Sequence, residues 1–171
     1  MKNRLANIEL LLLDVDGVLT DAGITYTDSG EQTKKFNAKD GLGLRLLMDA
    51  GIQVGIITGL SSKALEHRCS KLGISLLFAG IKNKSKVLDS IISQTGIDPE
   101  KMIFVGDDLI DLPVMKRVGV SFCVADGSDD VKKHCDFITN LKGGHGAVRE
   151  VCENILKAKN LWDDILKTYL S

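Results

Sequence analysis

The sequence predicts an α/β fold: a Rossmann-like parallel sheet with helices on both faces. Two observations carry this. Short, fully apolar runs alternate with helical segments along nearly the whole chain, the pattern of strand–helix–strand units. Polar residues that can bind a cation or an anion follow one apolar run after another, as expected where ligands gather at the carboxyl ends of parallel strands. A chain of 171 residues fits one domain, and the whole of 1–171 is read so. At this size folding buries about 70% of the unfolded surface, so no disulfide or metal staple is required. Hydrophobic residues make up 44% and charged residues 26%, with a formal net charge of -1. The Lys and Arg residues are scattered, which argues against a nucleic-acid groove or a membrane-binding face.

The elements follow in order. Leu10–Leu13 reads as a buried strand. Residues 23–37 read as a hairpin flap, with arms Ile24–Thr27 and Thr33–Phe36 around an Asp28-Ser29-Gly30 turn. Asp40–Ala50 reads as a helix capped by Asp40 and stopped by Gly51. Val54–Ile57 is a second buried strand, and Ser62–Leu72 a helix with Ser61 or Ser62 as its cap and Gly73 behind it. Leu76–Phe78 is a strand, Ser85–Thr95 a helix stopped by Gly96, and Met102–Val105 a strand. Asp111–Arg117 is a short helix with Pro113 in its first turn, where a missing N–H is tolerated. Val120–Val124, Ser128–His134 and Phe137–Ile138 continue as strand, helix and strand. A closing helix runs from Ala147 to about Lys159, and Trp162–Leu170 extends the structure. Cys69, Cys123, Cys135 and Cys152 show no C-x-x-C spacing and read as free, mostly buried thiols. Lys2 and Arg4 precede the apolar run Ile8–Leu13, which Glu9 interrupts and two aspartates follow. That run is too short and too polar for a signal peptide or a membrane span, so the expected location is the cytoplasm.

The candidate site consists of residues at strand ends. Asp14 and Asp16 follow the first strand and Thr58 the second. Lys84 lies in the loop after the third, and Asp107 and Asp108 follow the fourth, with Asp111 a turn later. Several carboxylates in one place repel each other unless a cation holds them. An all-oxygen donor set suits Mg²⁺, although Mn²⁺ or Co²⁺ could substitute. Asp14, Asp107 and the backbone carbonyl of Asp16 are the expected ligands, with Asp108 acting directly or through water. Asp14 then serves as a nucleophile toward phosphorus, giving an aspartyl-phosphate. Asp16 protonates the leaving alkoxide and later takes a proton from water. Lys84 pairs with Asp14 and the phosphate, and Thr58 donates to a phosphoryl oxygen. Taken singly, each residue has a plainer reading: a turn former, a helix cap, a solvated lysine. Their joint arrival at strand ends is what argues for a site.

These motifs resemble those of haloacid-dehalogenase-superfamily phosphatases. Asp14–Thr20 matches the first motif, Ile57–Gly59 the second, Lys84 the third and Gly106–Asp111 the fourth. Together with Lys35–Gly41, Arg68-Cys69, Leu112–Met115 and Gly143–Glu150, the chain is similar to the family of 3-deoxy-D-manno-octulosonate 8-phosphate (Kdo 8-phosphate) phosphatases. The resemblance implies a cap-less fold whose hairpin packs with three neighbours in a homotetramer. It also implies a role in supplying the Kdo sugar of lipopolysaccharide. Substrate contacts implied by the family are Asp16, Asn37, Ala38, Lys39, Asp40, Gly41, Arg45, Arg68 and Lys84. Two positions depart from the family pattern: Leu60 stands where Arg usually follows I-T-G, and His145 stands where G-G-R-G is usual. Both changes remove a permanent cation from near an anionic substrate. Phosphatases of nine-carbon sialic-type sugar 9-phosphates share most of the motifs and differ at the position of Leu60, so they are the alternative reading. Phosphotransfer from a sugar donor is a further variant of the same chemistry. His67 and His134 read as helix-surface residues, whereas His145, between glycines, could reach a neighbour's site.

Two readings from other classes compete. A receiver-like phospho-aspartate signalling domain needs an acceptor at the end of the third strand, but Leu76–Phe78 is followed by Ala79-Gly80. A tetramer-forming module would not need Asp14, Asp16, Lys84 and Asp107 together.

Overall fold

The computed structural model describes residues 2–170. The chain opens with a helix, α1 (Lys2–Ala6), which the sequence reading did not anticipate, and enters β1 (Leu10–Leu13). A hairpin of β2 (Thr25–Tyr26) and β3 (Gln32–Thr33) leads to α2 (Ala38–Asp49) and β4 (Gln53–Ile57). Next come α3 (Lys63–Leu72), β5 (Leu76–Phe78), α4 (Lys84–Thr95) and β6 (Met102–Gly106). The chain continues through α5 (Leu112–Met115), β7 (Val120–Cys123), α6 (Asp129–Lys132) and β8 (Phe137–Ile138), and ends in α7 (Ala147–Ala158) and α8 (Trp162–Leu170). The main sheet has the order β5-β4-β1-β6-β7-β8, and every pair in it is parallel.

Side-chain alternation in β1 divides the core between the two faces. Leu11 and Leu13 pack with α2, α3 and α7, and Leu10 and Leu12 pack with α4, α5 and Val131. All four leucines are fully buried, each worth about 1.5–3 kcal/mol of hydrophobic stabilisation. The strand order reverses between β1 and β6: the chain builds outward from β1 through β4 and β5, then crosses to the other side. In register, Leu13 faces Val105, and Asp14 N donates to Val105 O at 3.0 Å. The crevice at a switch point therefore opens between the residues after β1 and those after β6.

Several boundaries differ from the sequence reading. Lys84 opens α4 and is not in the loop before it, and the helix read over Ser128–His134 spans only Asp129–Lys132. Asn37, not Asp40, caps α2: its Oδ1 accepts from Lys39 N at 2.8 Å, and the helix begins at Ala38. Asp40 instead lies buried, and its Oδ1 accepts from Arg149 N at 2.7 Å, in the first turn of α7. The Asp111–Arg117 helix resolves into a 3₁₀ turn, Leu109–Asp111, and the short α5, because Asp111 is held by backbone amides behind it. The hairpin arms pair over only two residues each.

The segment Gly143–Gly146 folds back on the loop after β1. In that loop Val18, Leu19 and Thr20 amides all converge on Val15 O. Gly144 N donates to Val18 O at 2.9 Å, and Asn37 Nδ2 donates to Gly144 O at 3.1 Å. A Cβ at Gly143 would stand 1.7 Å from Gly17 O, so only glycine permits this approach. Gly143→Ala is expected to lower the urea midpoint by the equivalent of roughly 1–3 kcal/mol, the usual cost of overpacking. An unchanged midpoint would show that the two loops do not depend on this contact.

Candidate active site

Asp14, the first residue after β1, is almost fully buried, and so is Lys84, the first residue of α4. Lys84 Nζ lies 2.9 Å from Asp14 Oδ1 and 2.7 Å from Asp111 Oδ1. Asn83 caps α4 through Lys86 N, which fixes the turn that directs Lys84 inward. Asp111 is saturated: its Oδ2 accepts from Asp107 N at 2.9 Å and Asp108 N at 3.3 Å, while its Oδ1 takes the lysine. It acts as a bracket for the loop after β6. Asp107 projects from that loop toward Gly17, whose φ of +87° and missing Cβ make room; a Cβ there would meet Asp107 Oδ2 at 2.1 Å. Asp14, Asp107 and Asp111 each offer an oxygen within 4.8 Å of the others.

This cluster suits a divalent cation. Three carboxylates face one ammonium, leaving an excess of negative charge in a buried place. Burial, then repulsion from Asp111, raises the Asp14 carboxyl to about 6, with Lys84 pulling the other way. Burial, then Asp111 and Asp14, raises Asp107 to about 7. Lys84 is penalised by burial, yet Asp111 and Asp14 hold its pKa above the ordinary lysine value. Asp14 Oδ1 has its ion pair but no aligned hydrogen bond among the described residues. All the donors are hard oxygens, the set that suits Mg²⁺ rather than a thiol- or imidazole-seeking metal.

The other residues singled out by sequence fall into two groups. Thr58 is buried just beyond β4, with its amide on Phe78 O and its carbonyl receiving Ile81 N. Asp16 is half-buried, and its Oδ1 accepts from Lys34 Nζ. Asp108 is exposed and caps the 3₁₀ turn through Leu109 N at 2.8 Å. Asn37, Asp40, Gly41 and Arg68 line a small cleft with Phe36 and Cys69. Arg68 donates to Asn37 O at 3.1 Å and sits 5.8 Å over the Phe36 ring, and a Cβ on Gly41 would collide with it at 2.2 Å. Ala38 and Lys39 are exposed on the first turn of α2. Arg45 donates to Lys71 O and Leu72 O, closing the C-terminal end of α3. Leu60 is exposed next to Gly59, and His145 Nδ1 contacts Gly143 O at 2.8 Å.

Lys34 was missed, because a Lys34-Lys35 pair on a hairpin reads as solvated. The period-2 exposure of 32–36 is the signal that finds it: Gln32, Lys34 and Phe36 turn inward while Thr33 and Lys35 are exposed.

A family model for haloacid dehalogenase-like hydrolases matches residues 77–151. That segment holds Lys84, Asp107 and Asp111, and with Asp14 at the switch point it defines a haloacid dehalogenase-like hydrolase. The chain is 46% identical over 158 residues to 3-deoxy-D-manno-octulosonate 8-phosphate phosphatase KdsC of Escherichia coli, covering 92% of this chain and 84% of that one. It belongs to this family of phosphatases. A crystal structure of the Yersinia pestis 3-deoxy-D-manno-octulosonate 8-phosphate phosphatase superposes with a TM-score of 0.93 at 43% identity, covering 95% of this chain and 88% of that chain. The Moraxella catarrhalis phosphatase, crystallised with a magnesium ion, a phosphate ion and a KDO molecule, superposes at 0.96 with 40% identity, covering 98% and 97%.

The raised Asp14 and Asp107 carboxyls have a consequence for stability. Without metal, the folded protein holds these protons more tightly than the unfolded chain. Its stability therefore declines as pH rises from about 4 toward 7, as both groups ionise. A cation competes with those protons. The Mg²⁺-induced increase in Tm, measured against EDTA, is expected to grow between about pH 5 and pH 8. An increase of equal size at both pH values would contradict this account of the cluster.

Proposed function

We propose that this protein hydrolyses 3-deoxy-D-manno-octulosonate 8-phosphate to the free sugar acid and phosphate, in a Mg²⁺-dependent reaction that passes through an aspartyl-phosphate on Asp14. The observation that carries this reading is Asp14 itself: a buried carboxylate at the switch point, beside Lys84, with Asp107 and Asp111 close by. Family membership supplies the substrate class, and the Moraxella catarrhalis relative holds magnesium, phosphate and KDO together.

Asp14, Asp107 and the Asp16 carbonyl would hold the ion, with Asp108 further out and Asp111 steadying the loop. Bound Mg²⁺ supplies charge neutralisation for the carboxylates and the phosphate dianion. Asp14 attacks phosphorus, and the bond to the sugar oxygen breaks. Asp16 delivers its proton to that oxygen. In the second half, water attacks phosphorus while Asp16 takes its proton, and Asp14 is released. Lys84 and Thr58 balance the charge spreading over the phosphoryl oxygens. Asn37, Ala38, Lys39, Gly41 and Arg68 form the rim proposed to meet the sugar acid. Asp40 and Arg45 support it through α7 and α3.

The chain is proposed to act as a single domain, in the cytoplasm, as a homotetramer. None of the described helices is long and apolar enough to cross a membrane. Ile24 and Tyr26, 58% and 65% exposed on the hairpin, are apolar surface suited to covering by another copy.

Asp14→Asn is expected to lower turnover by on the order of 10⁴-fold or more, while light scattering still reports the assembly of the native chain. Retained turnover would refute Asp14 as nucleophile. Phosphate release from Kdo 8-phosphate, nine-carbon sialic-type 9-phosphates and common hexose and pentose phosphates tests the substrate. A clear kcat/KM preference for Kdo 8-phosphate is expected. A preference for a nine-carbon acid would show that Leu60 and His145 redirect specificity.

A further inference from the structure

Lys34 is at odds with its segment. Every residue from 21 to 31 is exposed, and so are Thr33 and Lys35. Yet the Lys34 side chain is only 3% exposed, and its ammonium meets the Asp16 carboxylate. Burying an ammonium is costly unless it is paired, so the hairpin gives up solvation of one lysine to reach this carboxylate. A tether alone would not need a charge at that place. The inward turn of Phe36 and the Asn37 bond to Gly144 already hold the returning arm against the Gly143–Gly146 segment, which itself is bonded to the loop after β1 through Val18 O.

We propose that Lys34 is a positioning residue for Asp16: it fixes the carboxyl that transfers the proton and balances the negative charge left on it afterwards. This rests on the reading of Asp16 as the acid and base. In the first half-reaction the Asp14 Oδ–P bond forms and the P–O bond to the sugar breaks. The proton of Asp16 moves to the departing oxygen, leaving a carboxylate. That carboxylate forms against Lys34, which keeps its own protons throughout. The ion pair in the structure is this ionised state, and the protonated acid that opens the cycle is the one the second half-reaction restores. In the second half-reaction the attacking water passes its proton back to Asp16, the Asp14–P bond breaks, and phosphate leaves. The hairpin thereby has a part in the chemistry of its own subunit.

The test compares first-turnover rates for two leaving groups. Sugar release from Kdo 8-phosphate requires the leaving oxygen to be protonated; nitrophenolate release from 4-nitrophenyl phosphate does not. Lys34→Met keeps the apolar stem and removes the charge. It is expected to slow sugar release by about 100-fold, the scale of a misplaced catalytic group, and nitrophenolate release much less. Asp16→Asn should show the same selectivity more strongly. The double variant should be no slower than Asp16→Asn, since one residue acts through the other. Lys34→Gln carries the same comparison if the Met variant does not fold. If Asp16→Asn is selective but the folded Lys34 variant slows both substrates equally, or if the two effects multiply, the positioning role is overturned and Asp16 keeps its own. If Asp16→Asn shows no selectivity, the reading of Asp16 fails first.

Discussion

The structure turns on one buried ion cluster, in which the Lys84 ammonium is held between Asp14 and Asp111 at the carboxyl edge of the sheet. A lysine this deep is unfavourable without close anionic partners, and removing one partner from a buried pair typically costs about 3–5 kcal/mol. Such an arrangement does little for net stability compared with an apolar core of equal volume. What it provides is a fixed geometry: α4, the loop after β1 and the loop after β6 are joined through three side chains. Asp111 completes this by accepting the amides of Asp107 and Asp108, which fixes the backbone that carries Asp107.

The close backbone approach of Gly143 to Gly17 extends the same constraint to the far end of the chain. The loop that carries Asp14 and Asp16 is pinned from below by β6, from the side by Gly143–Gly146, and from above by Lys34 of the hairpin. Three segments distant in sequence thus share the task of holding two carboxylates. Proton and phosphoryl transfer both depend sharply on such placement, so under the proposed mechanism the conformational freedom removed here would contribute to catalysis.

Much of this was legible in the sequence. The parallel sheet followed from alternating apolar runs. Asp14, Thr58 and Asp107 sit just beyond strand ends, as the switch-point rule requires, and Lys84 opens the helix that follows β5. What could not be read was which of two competing local partners a polar residue would choose. Asp40 had the sequence context of a helix cap, but its carboxylate lies against α7, more than a hundred residues away, and Asn37 took the cap. Arg45 looked like a solvated or substrate-facing cation; its bonds to Lys71 O and Leu72 O at the end of α3 were not readable from the sequence. Asp111 belonged visibly to a motif, but its saturation by amides and by Lys84 is a tertiary fact. Lys34 was hidden because strand alternation over so short an arm is a weak signal beside the usual behaviour of a lysine pair.

The central claim is that Asp14 becomes covalently phosphorylated during turnover. Acid quenching of the enzyme while it hydrolyses substrate, followed by borohydride reduction and peptide mass analysis, tests it directly. The account predicts conversion of Asp14, and no other aspartate, to homoserine, in a substrate-dependent manner. Reduction at another carboxylate, or at none during steady turnover, would contradict it.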